Sequence, residues 1–435
     1  MLIEFRVGNF RSFAEPQTFS LVASSDSRHP DHCTPFGKLR LLKSAAVFGA
    51  NASGKSNLIA AIDFMRRFVL YSATAMNVGD EIPVVPFQLD PGSRGAASHF
   101  EAAIVIEGVR YQYGFTSTSK RVQDEWLIAY PKGRPQHLLE RRFDLKTEQT
   151  TWAIRGDLRK EETLLKERTR DNGLALSRGA ELNVAPLTAV LLWFRQKLAI
   201  LDLSTSPASL YSQTAMRLQG DTAFRKRILR LLRHADLGIS DLEVSEGLRM
   251  DSTTGPLPSG STIEDHGHFP SGAGSTVIRA PDTIRSIHRS VAGEAVKFDF
   301  LEAESKGTQR FFALAGPWLD ALDQCGLLVI DELDCSMHPT LTRKLIELFQ
   351  TRDANRHGAQ LVFSTQDSAL LDLELFRRDQ IWIVEKDRAG ASRLSSLYDF
   401  EEKPRNNEAL QRRYLAGRYG GVPVFGPTFE DLELP

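Results

Sequence analysis

Apolar and polar positions follow strand and helix periods along most of the chain. The opening MLIEFRVGNFRSFAEPQTFS alternates in two stretches around a polar turn and predicts two strands. HFEAAIVIEGVRYQYGF, residues 99–115, predicts two more strands joined at Glu107 and Gly108. Continuous apolar runs in SAAVFGA and CGLLVIDE are typical of buried strands in a parallel sheet. The pattern therefore predicts an α/β fold.

The middle of the chain has a different pattern. From about residue 155 to 236, apolar residues recur at helical spacing in LTAVLLWFRQKLAILDL and FRKRILRLLRHADLGI. No heptad is sustained, so we expect a compact insertion without a coiled-coil arm. Residues 251–280 are rich in Gly, Ser, Thr and Pro and predict a mobile loop, whose His266 and His268 are better explained as solvated side chains than as metal ligands. We divide the chain into a β-rich N-terminal lobe, a mainly helical insertion and a C-terminal lobe, with bounds 1–115, 116–290 and 291–435.

Composition changes this picture little. The chain has 435 residues, of which 42% are hydrophobic and 25% charged, with a net charge of −1. This balance argues against a protein that coats nucleic acid along its whole surface. Three cysteines without a Cys-x-x-Cys pair predict a reducing, cytoplasmic location. We expect neither a signal peptide nor a membrane span, because no run of eighteen apolar residues occurs.

The stretch SAAVFGANASGKSNLIAAIDFM joins an apolar run, a glycine-rich turn and a helical pattern. Gly49 to Ser56 spell G-x-x-x-x-G-K-S, the P-loop motif. Its backbone N–H groups surround a phosphate, Lys55 reaches the outer phosphates, and the Ser56 hydroxyl can ligate Mg²⁺. A turn that merely connects strand to helix is the alternative, and the flanking pattern favours the nucleotide site. The candidate residues are Gly49, Asn51, Ala52, Ser53, Gly54, Lys55, Ser56 and Asn57.

Two acids follow the apolar run Leu327 to Ile330. In an open parallel sheet, the carboxyl ends of the strands line the ligand crevice. Asp331 is therefore placed to hold Mg²⁺ and Glu332 to polarise an attacking water. Two acids at a strand end also occur by chance, but the P-loop elsewhere in the chain favours the metal and catalytic roles.

Ser305, Lys306 and Gly307 come before the helical pattern of TQRFFALAGPWLDAL. The N-terminus of a helix, with a hydroxyl and free backbone N–H groups, binds a phosphate well. Taken alone, these residues favour the plainer interpretation of an N-cap serine followed by a turn glycine.

The order of these motifs resembles the ABC-type ATPases: a P-loop, an S-x-G-x-Q segment, a strand ending in Asp-Glu and a D-loop-like Leu333-Asp334. IEFRVGNFRSFAEPQTFSL resembles the first strands of SMC, OLD and RecF-type ATPases, with their N-F-R-S turn at Asn9 to Ser12. More narrowly, DELDCSMHP, RRDQIWIVEKD and YLAGRYGGVP resemble the RloA/AbiL-like ATPases of phage defence, a group that includes the AriA subunit of the PARIS system. The resemblance covers roughly residues 1–115 and 290–435.

This resemblance implies an ABC-type P-loop ATPase head with ATP and Mg²⁺ as cofactors. In that superfamily two subunits sandwich ATP, and the P-loop of one faces the signature Ser and Gly of the other. It therefore implies at least a homodimer, with Ser305 and Gly307 at the shared nucleotide. It also adds Arg11 of the N-F-R-S turn to the nucleotide contacts and Asp334 to the catalytic residues.

A glutamine stands where relatives often carry a switch histidine. The run LVFSTQD places Gln366 after an apolar strand, in a context that resembles T-H-D. An amide can orient a water but cannot take up a proton. We therefore predict slow hydrolysis and a long-lived ATP-bound state. The alternative is a strand-end residue that does not touch nucleotide.

Three functions compete at this stage. The first is a sensor or scaffold ATPase that responds to phage infection and controls a separate effector protein. Its trigger would be nucleic acid or a phage protein, and we expect the effector to be a Toprim-type nuclease. The second is a RecF-like repair ATPase that clamps DNA, for which a cationic helix around Arg225 and Arg230 offers a surface. The third is a nuclease within the chain, which the missing D-x-D after Glu385 disfavours.

Overall fold

The structure, a computed structural model, describes residues 1–202, 207–235, 237–245, 283–401 and 407–423. Within these ranges a mainly parallel central sheet packs beside an antiparallel sheet, and helices cover both faces of the central sheet. The architecture is mixed α/β, as the apolar pattern predicts.

The central sheet carries the two continuous apolar runs. Its strands are β5 (Ser44–Phe48), β11 (Leu198–Asp202), β15 (Leu327–Asp331), β16 (Gln360–Thr365), β17 (Ile381–Lys386) and β18 (Ser392–Ser396). They lie in the order β11-β15-β16-β5-β17-β18, and every neighbouring pair except β17 and β18 is parallel. The strand that holds Glu385 is therefore internal to this sheet, and β18 follows it as an antiparallel edge strand.

The antiparallel sheet contains the strands predicted at the N-terminus and continues beyond them. Its strands are β1 (Leu2–Gly8), β2 (Gln17–Ser20), β6 (Ser98–Ile106), β7 (Val109–Ser117), β8 (Val122–Tyr130), β9 (Gln136–Asp144) and β10 (Gln149–Ile154). Their order is β10-β9-β8-β7-β6-β1-β2. The boundary drawn at residue 115 falls inside β7, and the sheet extends to Ile154. VQDEWLIAY in β8 alternates buried and half-buried positions, the period of a strand.

Two small sheets complete the strands that the structure describes. They are formed by β3 (Cys33–Phe36) with β4 (Leu39–Leu42), and by β12 (Asp241–Ser245), β13 (Thr283–Arg289) and β14 (Ala295–Asp299). The predicted loop 251–280, with His266 and His268, lies outside the described residues.

The helices are α1 (Lys55–Tyr71), α2 (Pro91–Arg94), α3 (Glu162–Arg168), α4 (Ala175–Glu181), α5 (Ala185–Leu192), α6 (Pro207–Gly220), α7 (Thr222–His234), α8 (Phe300–Ala303), α9 (Lys306–Gln324), α10 (Pro339–Gln350) and α11 (Asn407–Leu415). No helix within the described ranges is long and apolar enough to cross a membrane. The helical prediction for LTAVLLWFRQKLAILDL is wrong in its second half, because Leu198–Asp202 forms β11 beside β15. A short apolar run fits a buried strand as well as a helix, and here sheet pairing decides.

Alternate residues of the central strands pack on opposite faces. Ala45 and Val47 of β5 face a core that includes α1 and the antiparallel sheet. Ala46 and Phe48 face a second core built largely from α6, α7, α9 and α10. Burial on both faces explains why β5 and β15 show no polar alternation. The loops after these strands are therefore fixed by a rigid, two-sided layer.

The RRDQ segment of the C-terminal motif is a buried brace. The Arg377 guanidinium forms an ion pair with Asp379 at 2.7 Å, and that carboxylate also accepts hydrogen bonds from the Ser24 backbone and hydroxyl at 2.7 Å. Gln380 donates to the Ser44 hydroxyl at 2.8 Å. These side chains tie the N-terminal segment to the start of the P-loop strand, which is a structural role.

Candidate nucleotide-binding site

Three predicted parts of the site follow the carboxyl ends of parallel strands of the central sheet: the P-loop, the two acids and Gln366. Pairing of Thr365 with Phe48 places Gln366 and Gly49 level as they leave β16 and β5. Pairing of Ile330 with Phe363 places Asp331 level with Ser364. β16 thus separates the P-loop strand from the Asp-Glu strand, and the residue after it lies between the two loops.

The P-loop has the backbone of a phosphate cradle. Ala52 has a φ of 62° and Gly54 a φ of 115°, both in the left-handed region. A Cβ at Gly54 would lie 2.2 Å from the Ser392 Oγ, so no side chain fits there. Such turns point successive backbone N–H groups to one side, which suits an anion. Ser53 adds a buried hydroxyl that has no hydrogen-bond partner among the described residues.

Lys55 is folded over the loop. Its Nζ donates to the carbonyl oxygens of Gly49 at 2.7 Å and Ala50 at 3.0 Å, and the side chain is buried. Burial lowers the pKa of Lys55, and nearby Asp331, Glu332 and Asp334 act in the opposite direction. The ammonium therefore lies in the field of the predicted acids, where the phosphates of a nucleotide would compete for it.

The N-F-R-S turn is hydrogen-bonded to the P-loop. The Asn57 amide donates to the Ser12 hydroxyl at 2.7 Å. The Ser392 hydroxyl donates to the Ser53 carbonyl at 2.6 Å and lies 2.7 Å from the Ser12 Oγ. Sequence reasoning missed Ser392, since a serine at the start of an edge strand carries no signal of its own.

Arg11 lies on the surface of that turn. Its backbone is left-handed, with a φ of 48°, and its N–H donates to Val85 at 2.8 Å. Arg11 as a whole residue is exposed, and its guanidinium carbon lies 5.6 Å from the ring centre of Phe10. Partial desolvation of the guanidinium lowers the pKa of Arg11, and nearby Asp63 acts in the opposite direction. The backbone of Arg11 is therefore fixed beside the P-loop network, and the contact of Arg11 with a nucleotide stays a prediction.

Ser364 holds the two acids in place. Its hydroxyl donates to an Asp331 carboxylate oxygen and accepts from the Glu332 N–H at 2.8 Å. Its carbonyl accepts from the Leu333 N–H at 3.1 Å. Glu332 has a φ of 52°, a strained conformation for a residue with a side chain, and such strain is concentrated at functional sites. Ser364 was not among the predicted site residues.

Gln366 is exposed directly after β16. The next residue, Asp367, accepts from the Ala369 N–H at 2.9 Å and caps the 3₁₀ turn Ser368–Leu370. The polar residues of the Ser-Thr-Gln-Asp run thus have different roles: Ser364 supports the acids, Asp367 caps a turn, and Gln366 is exposed at the end of the strand.

The predicted signature residues lie at the start of α9. The Ser305 hydroxyl accepts from the Thr308 N–H at 3.1 Å, so Ser305 is the N-cap, and it is also exposed. A Cβ at Gly307 would lie 2.8 Å from the Ser336 carbonyl oxygen. The helix N-terminus therefore packs against the segment that follows the acids. In that segment an Asp334 carboxylate oxygen is buried without a hydrogen-bond partner among the described residues.

One known protein family covers the P-loop, the two acids and Gln366. Residues 44–372 match the family model described as "AAA domain, putative AbiEii toxin, Type IV TA system". No curated protein matches the sequence. The solved structure of cbiO1 from Clostridium perfringens, described as part of the ABC transporter complex cbiONQ, is similar at 10% identity and a TM-score of 0.31, over 96% of this chain and 94% of that one. Because the family model spans residues 44–372, which is most of the chain, the chain belongs to this AAA-domain family of P-loop ATPases.

Proposed function

We propose that the chain binds ATP and hydrolyses it slowly as the sensor or scaffold subunit of an anti-phage defence system. As that subunit, the chain controls the activity of a separate toxic effector protein, a Toprim-type nuclease. Two observations support the proposal. The matching family model is described by a toxin of a type IV toxin–antitoxin system, and the C-terminal motifs resemble RloA/AbiL-like defence ATPases.

One observation carries the proposal of a dimer. The P-loop and the acids occupy one part of the sheet edge, whereas Ser305 is exposed and its helix packs on Ser336. A second copy, rotated by two-fold symmetry, would bring its Ser305 and Gly307 over this P-loop. Such an interface is isologous and closes with two subunits. ATP would then lie between the two copies.

The predicted site residues each have a chemical role in this proposal. The P-loop N–H groups and Lys55 bind the phosphates, and Ser56 with Asp331 would hold Mg²⁺, since hydroxyl and carboxylate oxygens suit that ion. Bound Mg²⁺ would neutralise phosphate charge. Glu332, aimed by its left-handed backbone, would orient and deprotonate the attacking water.

Gln366 would set the rate. Its amide can donate to the γ-phosphate or to the water, but it has no proton to exchange near neutral pH. Hydrolysis would then depend on Glu332 alone for proton transfer. A subunit that waits in an ATP-bound state suits a sensor, and the same property would slow a motor.

The DNA-clamping alternative depends on the cationic helix α7, and the structure uses that helix for docking. Arg225 forms an ion pair with Asp241 at 2.8 Å, and Arg227 forms one with Asp323 of α9 at 2.7 Å. Arg217, just before α7, pairs with Asp320 of α9. Two of the cations thus hold the insertion against the signature helix, and Arg225 pairs within the insertion. Stimulation of hydrolysis by DNA ends, without a partner protein, would revive this alternative.

Cysteine cross-linking tests the dimer. If the P-loop of one copy faces Ser305 of the other, the two-fold axis passes midway between those points on one chain. The segment from Glu332, which lies near Lys55, to Ser336, which lies beside Gly307, joins those two points, and Cys335 in it is exposed. A short bis-maleimide should therefore join two copies through Cys335 when ATP is present and Glu332→Gln prevents hydrolysis. Half-buried Cys33 and Cys325 serve as internal controls in a Cys335→Ser variant. Cross-linking that does not depend on ATP would contradict the arrangement. So would the absence of cross-linking when the ATP concentration saturates the protein.

Co-purification tests the effector. The chain should be produced with the product of its neighbouring gene, as wild type, as Lys55→Ala and as Glu332→Gln. We expect the amount of retained partner, measured by native mass spectrometry, to differ between the ATP-trapped and the ATP-deficient variant. A partner that binds all three equally, or nuclease activity in the purified chain alone, would contradict control of a separate effector.

A further inference from the structure

The segment after α11 makes a tight turn close to the P-loop. Gly417, Gly420 and Gly421 have φ values of 75°, 72° and 69°, all left-handed. The Gly417 N–H donates to Tyr414 at 2.8 Å, and the Gly420 N–H donates to Gly417 at 3.1 Å. The chain therefore reverses direction within a few residues, and only glycine adopts these backbone angles without strain.

Gly421 reaches the P-loop itself. A Cβ at Gly421 would lie 3.4 Å from the Cα of Gly49, 3.3 Å from the Val384 carbonyl oxygen and 2.7 Å from the Ile383 Cγ2. A Cβ at Gly49 would in turn lie 2.5 Å from the same Val384 oxygen. Three backbone segments meet at this point: the start of the P-loop, the end of β17 and the C-terminal turn. An added methyl group at Gly421 would therefore press on the Ile383 side chain and the Val384 carbonyl, the same carbonyl that lies against Gly49, and would come into van der Waals contact with Gly49 itself.

Buried tyrosines anchor the turn. The Tyr414 hydroxyl donates to the Gly421 carbonyl at 2.9 Å, and its ring lies 6.4 Å from that of Phe48, the last residue of the P-loop strand. Burial raises the pKa of Tyr414 to about 12, so the hydroxyl keeps its proton at neutral pH and remains a donor. Tyr419 is also buried, with 3% of its surface exposed. The turn is thus part of the core and not a loose tail.

The other side of α11 reaches the segment after Gln366. The Gln411 amide donates to the Ser368 hydroxyl at 3.4 Å, in the 3₁₀ turn that Asp367 caps. One helix therefore contacts the switch segment through Gln411 and the P-loop through the turn that follows it. Both contacts are made by residues that the phosphate-binding motif does not include.

We propose that Gly421 is a positioning residue of the nucleotide site. Its backbone braces the first residue of the P-loop, so that a change in the turn displaces Gly49 and the phosphate-binding N–H groups after it. α11 then links the position of the P-loop to that of the segment after Gln366. This inference rests on nucleotide binding at the P-loop, as proposed above.

A glycine pair provides the test. Gly421→Ala and Gly417→Ala introduce the same methyl group at nearly the same φ, but a Cβ at Gly417 meets only the Val422 Cγ2, at 3.3 Å. Both should lower Tm, because both strain a left-handed position. ATP and ADP affinities are measured by titration calorimetry on the full chain. We expect Gly421→Ala to weaken both about tenfold or more, since small displacements of a binding loop have large effects, and Gly417→Ala to stay within about twofold.

Each outcome decides the proposal. Equal affinities for the two variants would overturn it, because backbone strain alone would then explain the effect. If Gly421→Ala fails to fold, Tyr414→Phe replaces it, because this variant keeps the ring and loses the hydrogen bond to the Gly421 carbonyl. A clear loss of nucleotide affinity in Tyr414→Phe would support the proposal. Wild-type affinity would overturn the proposal. Lys55→Ala, titrated alongside, separates this inference from the proposed function: if wild type and Lys55→Ala bind alike, the P-loop assignment fails instead.

Discussion

Ser364→Ala tests whether the hydrogen bonds that position Asp331 and Glu332 matter for hydrolysis, because it removes those bonds and keeps both carboxylates. It removes the hydroxyl that donates to Asp331 and accepts from the Glu332 N–H, and leaves both carboxylates in the chain. Ser364 is fully buried in β16, so no change of surface charge accompanies the substitution. Phosphate binding by the P-loop should be preserved, because the hydroxyl of Ser364 bonds to the segment that carries the acids.

The expected magnitude follows from the bonds lost. A hydrogen bond to a charged acceptor contributes about 1.5–3 kcal/mol, and a neutral one about 1 kcal/mol. The charged bond fixes the predicted Mg²⁺ ligand, and the neutral one fixes the strained backbone of Glu332. If the charged term is lost from transition-state stabilisation, kcat falls by a factor of about ten to one hundred, since each 1.4 kcal/mol corresponds to tenfold.

Steady-state hydrolysis and ATP binding are measured together, with Ser44→Ala as the control. Ser44 is an equally buried serine at the other end of neighbouring β5, where its hydroxyl accepts from Gln380 at 2.8 Å and Gln350 at 3.1 Å. Both variants should lose stability, but only Ser364→Ala should lose kcat. Equal kcat losses, or a Ser364→Ala enzyme that turns over like wild type, would refute the reasoning.

Three further substitutions test individual roles. Lys55→Ala should abolish tight ATP binding in a nucleotide titration, because it removes the cation that is predicted to meet the outer phosphates; unchanged affinity would contradict the assignment. Glu332→Gln should keep ATP bound and lower turnover about a hundredfold or more, and a parallel loss of binding would make Glu332 structural. Gln366→Ala should slow hydrolysis with ADP affinity nearly intact, whereas Gln366→His should be tolerated or faster, because imidazole can exchange a proton; wild-type kinetics for both would leave Gln366 without a catalytic role.

Local patterns of apolar residues predict much of the central sheet. The apolar runs of β5 and β15 are buried on both faces, so continuous hydrophobicity predicts them directly. β11 has the same kind of run, LAILD, but it follows a helical stretch, so the periodicity predicts a continuation of that helix. Its strand state depends on pairing with β15, which is distant in sequence and leaves no local trace. The strands up to Ile154 were underestimated for a related reason, since polar residues on their outer face weaken the apolar signal.

The site divides in the same way. The residues predicted to bind phosphate form a contiguous motif, so Gly49 to Ser56 could be named from spacing alone. Residues that support the motif come from elsewhere in the chain: Ser392 contacts Ser53, and Gly421 contacts Gly49. These contacts span long sequence separations, which no pattern within one sequence reveals.

Mixing two inactive variants tests the shared nucleotide site most directly. Ser305→Arg places a long cation at the exposed N-terminus of α9 and should spare ATP binding by one subunit while blocking hydrolysis. Lys55→Ala lacks ATP binding but keeps an intact Ser305. In a mixed dimer, one of the two sites combines an intact P-loop with an intact signature segment, so hydrolysis should reappear when the variants are combined under conditions of subunit exchange. A mixture as inactive as its separate components, with exchange verified by mass, would contradict an ATPase whose site is completed by a second copy.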